Sequence, residues 1–315
     1  MFKTILKTTV LALLVCLCGW ATHAVAQENT GMLYEGESIE HAAGFPAIYK
    51  FIAGDKTKPL LVFVPGAHHT ARVFYGGHQG YKAEDFLAYW VNKKEYNFLA
   101  LSYPIALNEP AISTNHPDFM IRDWGKQVAS LTDKTIKENG LQNNVIVVAW
   151  SMGGKIAQSV YEAMQAQGVN LDFYCALTAT PPIPGMIALS REYPMLESGY
   201  ADRRKNYAGW FKQVAAQGKK QNSEIVPEAI YMSQYVGDIS INQQGYGQQY
   251  RDGKYVMAPL AAQKDAQAFN YANFPLVGII APDGRGDKRH AIVDQASWTI
   301  YNANTVYKRY IAGNK

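Results

Sequence analysis

Apolar residues gather in short unbroken runs along the first half of the chain, and amphipathic stretches lie between them. Leu60-Leu61-Val62-Phe63-Val64 is continuous and is closed by Pro65-Gly66. A short apolar run ended by turn formers predicts a strand buried on both faces. Asn97 to Ser102, Val145 to Ala149 and Leu171 to Thr178 read the same way, and so, after a long interruption, does Leu276 to Ile280. The intervening segments carry the helical period. Phe86, Leu87, Tyr89, Trp90 and Val91 suggest a crossover helix, and Trp124, Val128, Leu131 and Ile136 predict one over 123–137. Ile156, Val160 and Met164 mark the inner face of a third. A final helix is expected from about Ala291 to Tyr310, with Ile292, Ala296, Ile300 and Val306 among its buried residues. Strands alternating with helices imply a mostly parallel sheet flanked by helices, an α/β fold.

The rhythm breaks after Pro181-Pro182-Ile183-Pro184-Gly185. The span 185–273 is rich in Tyr, Gln, Gly and Lys and lacks clear buried strands. Its aromatic content argues against disorder, so it is expected to be a partly helical cap lying over the sheet. At the other end, Lys3 and Lys7 precede an apolar run from Val10 to Cys18, and Ala24-Val25-Ala26 stands before Gln27. Basic, apolar and small residues in that order form a signal peptide, and the run is too short to span a bilayer. The expected organisation is a signal peptide over 1–26, an α/β core over 27–184, the cap over 185–273 and the end of the core over 274–315. The protein is then exported, to a periplasm or beyond, with no stable membrane anchor once the signal is cleaved.

Losing Lys3 and Lys7 lowers the formal charge from +4 to +2, and no basic run of five or more is present. That excludes an electrostatic nucleic-acid binder. Cys16 and Cys18 leave with the signal, so Cys175 is the only cysteine and no internal disulfide is expected. The core alone must hold the fold together, and at this length it is large enough.

The segment with most chemical content is Val145-Ile146-Val147-Val148-Ala149-Trp150-Ser151-Met152-Gly153-Gly154-Lys155-Ile156-Ala157. A buried strand runs into a serine with small residues two positions away on either side, and then into a helix. A sharp strand-to-helix turn strains the serine backbone, and bulky neighbours at those positions would collide. The turn lifts Oγ clear of the sheet and sets the Met152 amide beside a substrate carbonyl, where the helix N-terminus adds positive potential. The short motif alone is common; its place between strand and helix, after two earlier strand-helix units, makes it informative.

Trp-Ser-Met-Gly-Gly after a valine-rich strand resembles the nucleophile elbow of the α/β-hydrolase superfamily, with Ala149 where glycine is usual. The resemblance covers most of 60–310 outside the cap. It implies acyl transfer through a triad in the chain order Ser, acid, His, with Ser151 as nucleophile. It also implies a second oxyanion amide just after the strand at 60–64, from Ala67 or His68. Of seven histidines only His290 follows Ser151. It stands between the last strand and the last helix, where the family's catalytic base belongs. Three carboxylates remain open as the acid: Asp283, Asp287 and Asp238. Asp283 is preferred because it stands just past the C-terminal end of a clear strand and Gly284 permits the turn. Asp287 has Arg285, Lys288 and Arg289 beside it, and Asp238 would need an additional strand near 230–237.

Other chemistry is not indicated. His68 and His69 are adjacent, and on extended backbone their side chains point opposite ways without a third ligand at a recognisable spacing, so no metal is expected. The glycine pairs lack the spacing of a nucleotide-binding loop, and no cofactor is expected. The implied partner is a small acyl or ester substrate. The alternative is a protein of the same fold with non-hydrolytic chemistry or a catalytically inactive binding role, since fold does not fix function.

Overall fold

Two strands that the apolar pattern does not reveal open the sheet of this computed structural model. β1 (Glu37–Ala42) and β2 (Phe45–Ile52) form an antiparallel hairpin turned by Ala43 and Gly44, at φ 55° and 86°. Paired positive φ values give a turn whose twist matches that of the strands. The expected strands follow: β3 (Leu60–Val64), β4 (Asn97–Ser102), β5 (Val145–Trp150) and β6 (Leu171–Leu177). A separate ribbon, β7 (Gln248–Arg251) with β8 (Lys254–Met257), precedes the last sheet strand β9 (Val277–Ile280). The structure describes residues 32–184, 192–270, 273–282 and 289–312, with backbone alone at 289–291. The expected signal peptide and both Asp283 and Asp287 lie outside the described residues.

The main sheet has the order β1-β2-β4-β3-β5-β6-β9. Strands β4, β3, β5, β6 and β9 are parallel, and the opening hairpin pairs antiparallel onto β4. All six residues of β4 are buried, as a strand covered on both faces requires. From β3 the chain moves to β4 on one side and then returns to β5 on the other. The loops after β3 and β5 therefore diverge at the carboxyl edge of the sheet, where open α/β sheets bind ligands.

The helices are α1 (Arg72–Tyr75), α2 (Leu87–Lys93), α3 (Ile121–Asn139), α4 (Ala157–Gln167), α5 (Tyr207–Gln221), α6 (Glu228–Ile230), α7 (Ile241–Gln244), α8 (Pro259–Asp265) and α9 (Gln295–Val306). The expected inner faces of α3 (Trp124, Val128, Leu131, Ile136) and of the helix after Ser151 (Ile156, Val160, Met164) are buried. Gly140 ends α3 and Gly168 ends α4, both left-handed. At its other end α3 is capped from a distance: the Asp265 carboxylate accepts from the Ile121 and Arg122 amides at 2.8 and 3.2 Å. Burial raises that carboxyl to about 6, against the pull of the two amides.

Helix α9 presents a face other than the expected one. Ile292, Ala296, Ile300 and Val306 are exposed, whereas Trp298, Tyr301 and Thr305 are buried. The aromatic residues cover more area, and their polar tips find partners: Trp298 Nε1 donates to the Ala179 carbonyl at 2.7 Å and Tyr301 Oη to that of Pro182 at 3.2 Å. Between 201 and 270 the chain packs over the carboxyl edge of the sheet. Thr70 donates to the Tyr235 carbonyl, Gly237 to that of His68, and Ala106 exchanges bonds with Asp238. The extra strand considered near 230–237 is absent: α6 and a wider helical turn over Tyr231–Tyr235 occupy it. Val236 and Asp238 form only isolated bridges, to His69 and Ala106.

Candidate active site

Ser151 follows β5 directly and has φ +51°. A non-glycine residue in this left-handed region is strained, and such strain gathers at functional sites. The close packing that enforces it is visible at two glycines. A Cβ on Gly66 would stand 3.0 Å from Ser151 Cβ, and one on Gly154 would stand 2.4 Å from the Thr180 carbonyl oxygen. The neighbours of the serine therefore have to be small for the strand ends to meet. After Ser151 the chain turns as a tight helix into α4. Met152 lies in that first turn, where N–H groups have no partner within the helix.

The loop after β3 forms the opposite wall. Tyr103 Oη donates to the Gly66 carbonyl at 2.5 Å and accepts the His69 amide at 3.1 Å. Burial pushes the Tyr103 phenol well above its ordinary range, so it remains a neutral hydroxyl. The His69 amide is thereby occupied, and the His68 amide also bonds to the Tyr103 hydroxyl, whereas the Ala67 amide has no protein acceptor among the described residues. Of the two amides expected as a second donor, that of Ala67 is the unengaged one.

His68 has φ +62°, so the extended backbone expected for the pair does not hold, and both imidazoles flank the same indole. Their ring centres lie 5.8 and 5.3 Å from that of Trp210. His69 Nδ1 is 2.7 Å from the Ala67 carbonyl, which can only accept, so Nδ1 carries the proton and Nε2 accepts from Tyr231 Oη at 2.6 Å. The same logic puts the His68 proton on Nδ1, shared between the Gly237 carbonyl at 2.8 Å and Tyr207 Oη at 3.2 Å. Burial lowers His69 to about 4 and His68 well below its ordinary value, and the charge of Arg203 pushes both the same way. Both rings are neutral at pH 7 and committed to this network.

Asp238 accepts from Tyr207 Oη at 2.8 Å and lies 3.3 Å from Arg204 Nε. Burial raises its carboxyl, although the Tyr207 hydrogen bond works against this. The expected base lies on a helical turn, Arg289–Asp294, that leads into α9, but the His290 side chain is outside the described residues. That turn is moored to the serine. Asp294, buried, accepts from Thr180 Oγ1 at 3.0 Å, and the Thr180 amide donates to the Ser151 carbonyl at 2.9 Å. Sequence reasoning missed Asp294, Thr180, Tyr103 and Tyr207, because each acts through a tertiary contact that no short motif carries. Of the aromatic residues over the site, Trp210 faces the two histidines. Tyr235 is core: it is 1 % exposed and its hydroxyl is 2.6 Å from His78 Nδ1.

No protein-family profile matches the chain, and no curated protein does. Among solved structures it is similar to a lipase from Bacillus licheniformis, at 21% identity over 41% of this chain and 46% of that one, TM-score 0.29. An epoxide hydrolase from Vigna radiata matches at 14% identity over 45% of this chain and 37% of that one, TM-score 0.32. A thermostable carboxyl esterase from Bacillus coagulans matches at 11% identity over 86% and 87%, TM-score 0.44. The chain spans less than half the length of the first two. Its own sheet order, with a strained serine at the strand-to-helix turn after the central β5, is that of the α/β-hydrolase fold.

Proposed function

We propose that the protein is an exported serine hydrolase that cleaves a carboxylic ester or a similar acyl bond. The observation that carries this reading is Ser151 at φ +51°. The strained turn puts this serine at the carboxyl edge of the sheet, and the first-turn amide of Met152 and the unengaged amide of Ala67 are the candidate oxyanion donors. In the proposed mechanism His290 takes the Ser151 proton as Oγ attacks the carbonyl carbon. The oxyanion is held by Met152 and Ala67. Collapse expels the alcohol, which takes the proton from His290. Water, deprotonated by the same base, then releases the acid and restores Ser151. Asp283 is assigned as the carboxylate that orients His290. The mooring of Asp294 through Thr180 to Ser151 supports placing the His290 turn at this serine. Chemistry of this type needs no cofactor.

Replacing Ser151 by Ala tests the proposal. Hydrolysis of short 4-nitrophenyl esters is expected to fall by several orders of magnitude with the fold retained, and near-wild-type activity would refute the assignment. Export is tested separately: the intact mass of secreted protein is expected to correspond to a chain beginning at Gln27, and a mass that retains 1–26 refutes it.

A further inference from the structure

Among the described residues two guanidinium groups are buried, and they are treated differently. Arg72 donates from Nε and Nη2 to the Glu37 carboxylate at 2.9 and 2.7 Å, and its remaining donors reach the Gln234 and Met32 carbonyls. Arg203 is 7 % exposed and among the described residues has one hydrogen bond, from Nη1 to Gln244 Oε1 at 2.8 Å. Its Nε is buried without an acceptor, and among the described residues no carboxylate lies within ion-pair distance of it. Three rings surround it, those of Tyr193, Trp210 and Tyr246, at 5.0, 5.4 and 5.7 Å. A guanidinium keeps its charge when buried, and a buried charge without a counter-ion is costly to the fold. Among the described residues no pairing partner offsets the charge of Arg203.

The Trp210 ring lies 5.4 Å from the Arg203 guanidinium and 5.8 and 5.3 Å from the rings of His68 and His69, so Arg203 stands against the loop after β3 that forms the wall facing Ser151. Gln244, its partner, accepts through its main-chain carbonyl from Lys155, which is buried one turn beyond Ser151. The side chains of Gln244 and His68 also meet, and the Gln244 amide nitrogen and His68 Nε2, both buried, have no other partner among the described residues. The Arg203–Gln244 pair thus touches both the loop and the helix that frame the serine.

We propose that Arg203 and Gln244 form an anion subsite beside Ser151 that receives a carboxylate carried by the acyl substrate. This makes the preferred substrates hemiesters of dicarboxylic acids, and the assignment rests on the reading of Ser151 as nucleophile. Arg203 Nε and the Gln244 amide offer N–H donors of the kind that bind a carboxylate, and the three rings exclude water while packing against the body of the acyl chain.

The test compares mono-4-nitrophenyl glutarate with 4-nitrophenyl valerate, which differ at the far end of chains of equal length. In the wild type kcat/KM is expected to favour the glutarate roughly tenfold or more, and in Arg203→Gln the ratio is expected to fall to about one. A wild-type ratio at or below one overturns the subsite, as does a preference that survives in Arg203→Gln. Calorimetric titration of glutarate into Ser151→Ala separates the two readings, and needs neither turnover nor a folded Arg203 variant. Binding there, with neither ester hydrolysed by the wild type, would keep the subsite and remove the hydrolase. Hydrolysis of both esters without glutarate binding or preference would do the reverse.

Discussion

Thr180 links Ser151 to Asp294: its amide donates to the Ser151 carbonyl at 2.9 Å, and its hydroxyl donates to the Asp294 carboxylate at 3.0 Å. The strained turn after β5 and the turn that carries His290 are thereby fastened to one residue. Replacing Thr180 by Val keeps the volume and the backbone bond but removes the hydroxyl. A hydrogen bond to a buried carboxylate contributes about 2 kcal/mol, so unfolding free energy should drop by that order. If the mooring positions His290, kcat on a neutral ester falls about tenfold with KM little changed. Urea unfolding and steady-state kinetics check the two halves. A stability loss with unaltered kcat would make the link structural only.

The triad acid is assigned by replacing Asp283, Asp287, Asp238 and Asp294 by Asn one at a time. Asp283→Asn is expected to lose kcat by orders of magnitude, because the base would lose its orienting carboxylate. Asp238 is already held by Tyr207 and Arg204, so its variant should show a milder change in kcat. A mild Asp283 variant moves the assignment to whichever replacement is severe.

Much of the architecture was legible because buried parallel strands leave unmistakable runs. The run from Leu60 to Val64 and that from Asn97 to Ser102 are strands residue for residue. The hairpin of β1 and β2 was not legible. Its strands mix polar with apolar residues, and its Ala43-Gly44 turn lacks the Asn-Gly or Asp-Gly pair that announces such a hairpin. Helix α9 misled because several apolar stripes fit its sequence, and only the carbonyls of Ala179 and Pro182 select the one with Trp298 and Tyr301. At the site, Ser151 was readable from local sequence, since the elbow is a local motif. The surroundings of the left-handed His68 were not, because Tyr207 and Gly237 reach it from more than 100 residues away. The cluster around Arg203 was not, because its members come together only through tertiary folding of the span 193–246.

The buried histidines give the fold a dependence on pH. His69 titrates at about 4 in the folded protein, against an ordinary value of 6.5. Between those values the unfolded chain binds more protons than the folded one, so this residue's contribution to stability falls as pH falls through that window. Asp265, raised to about 6, acts with the opposite sign over part of the same range, so the comparison has to be between proteins that share it. From pH 7 to about 4.5, the wild type should lose more stability than His69→Gln by something on the order of 1–3 kcal/mol. Urea midpoints at several pH values measure this; parallel curves for the two proteins would contradict it.

The most direct measurement is to treat the purified protein with a fluorophosphonate and map the adduct by peptide mass spectrometry. The mechanism predicts one phosphonyl group on Ser151, with labelling abolished in Ser151→Ala and slowed by orders of magnitude in His290→Ala. An unlabelled wild type, or an adduct on any residue other than Ser151, would contradict it.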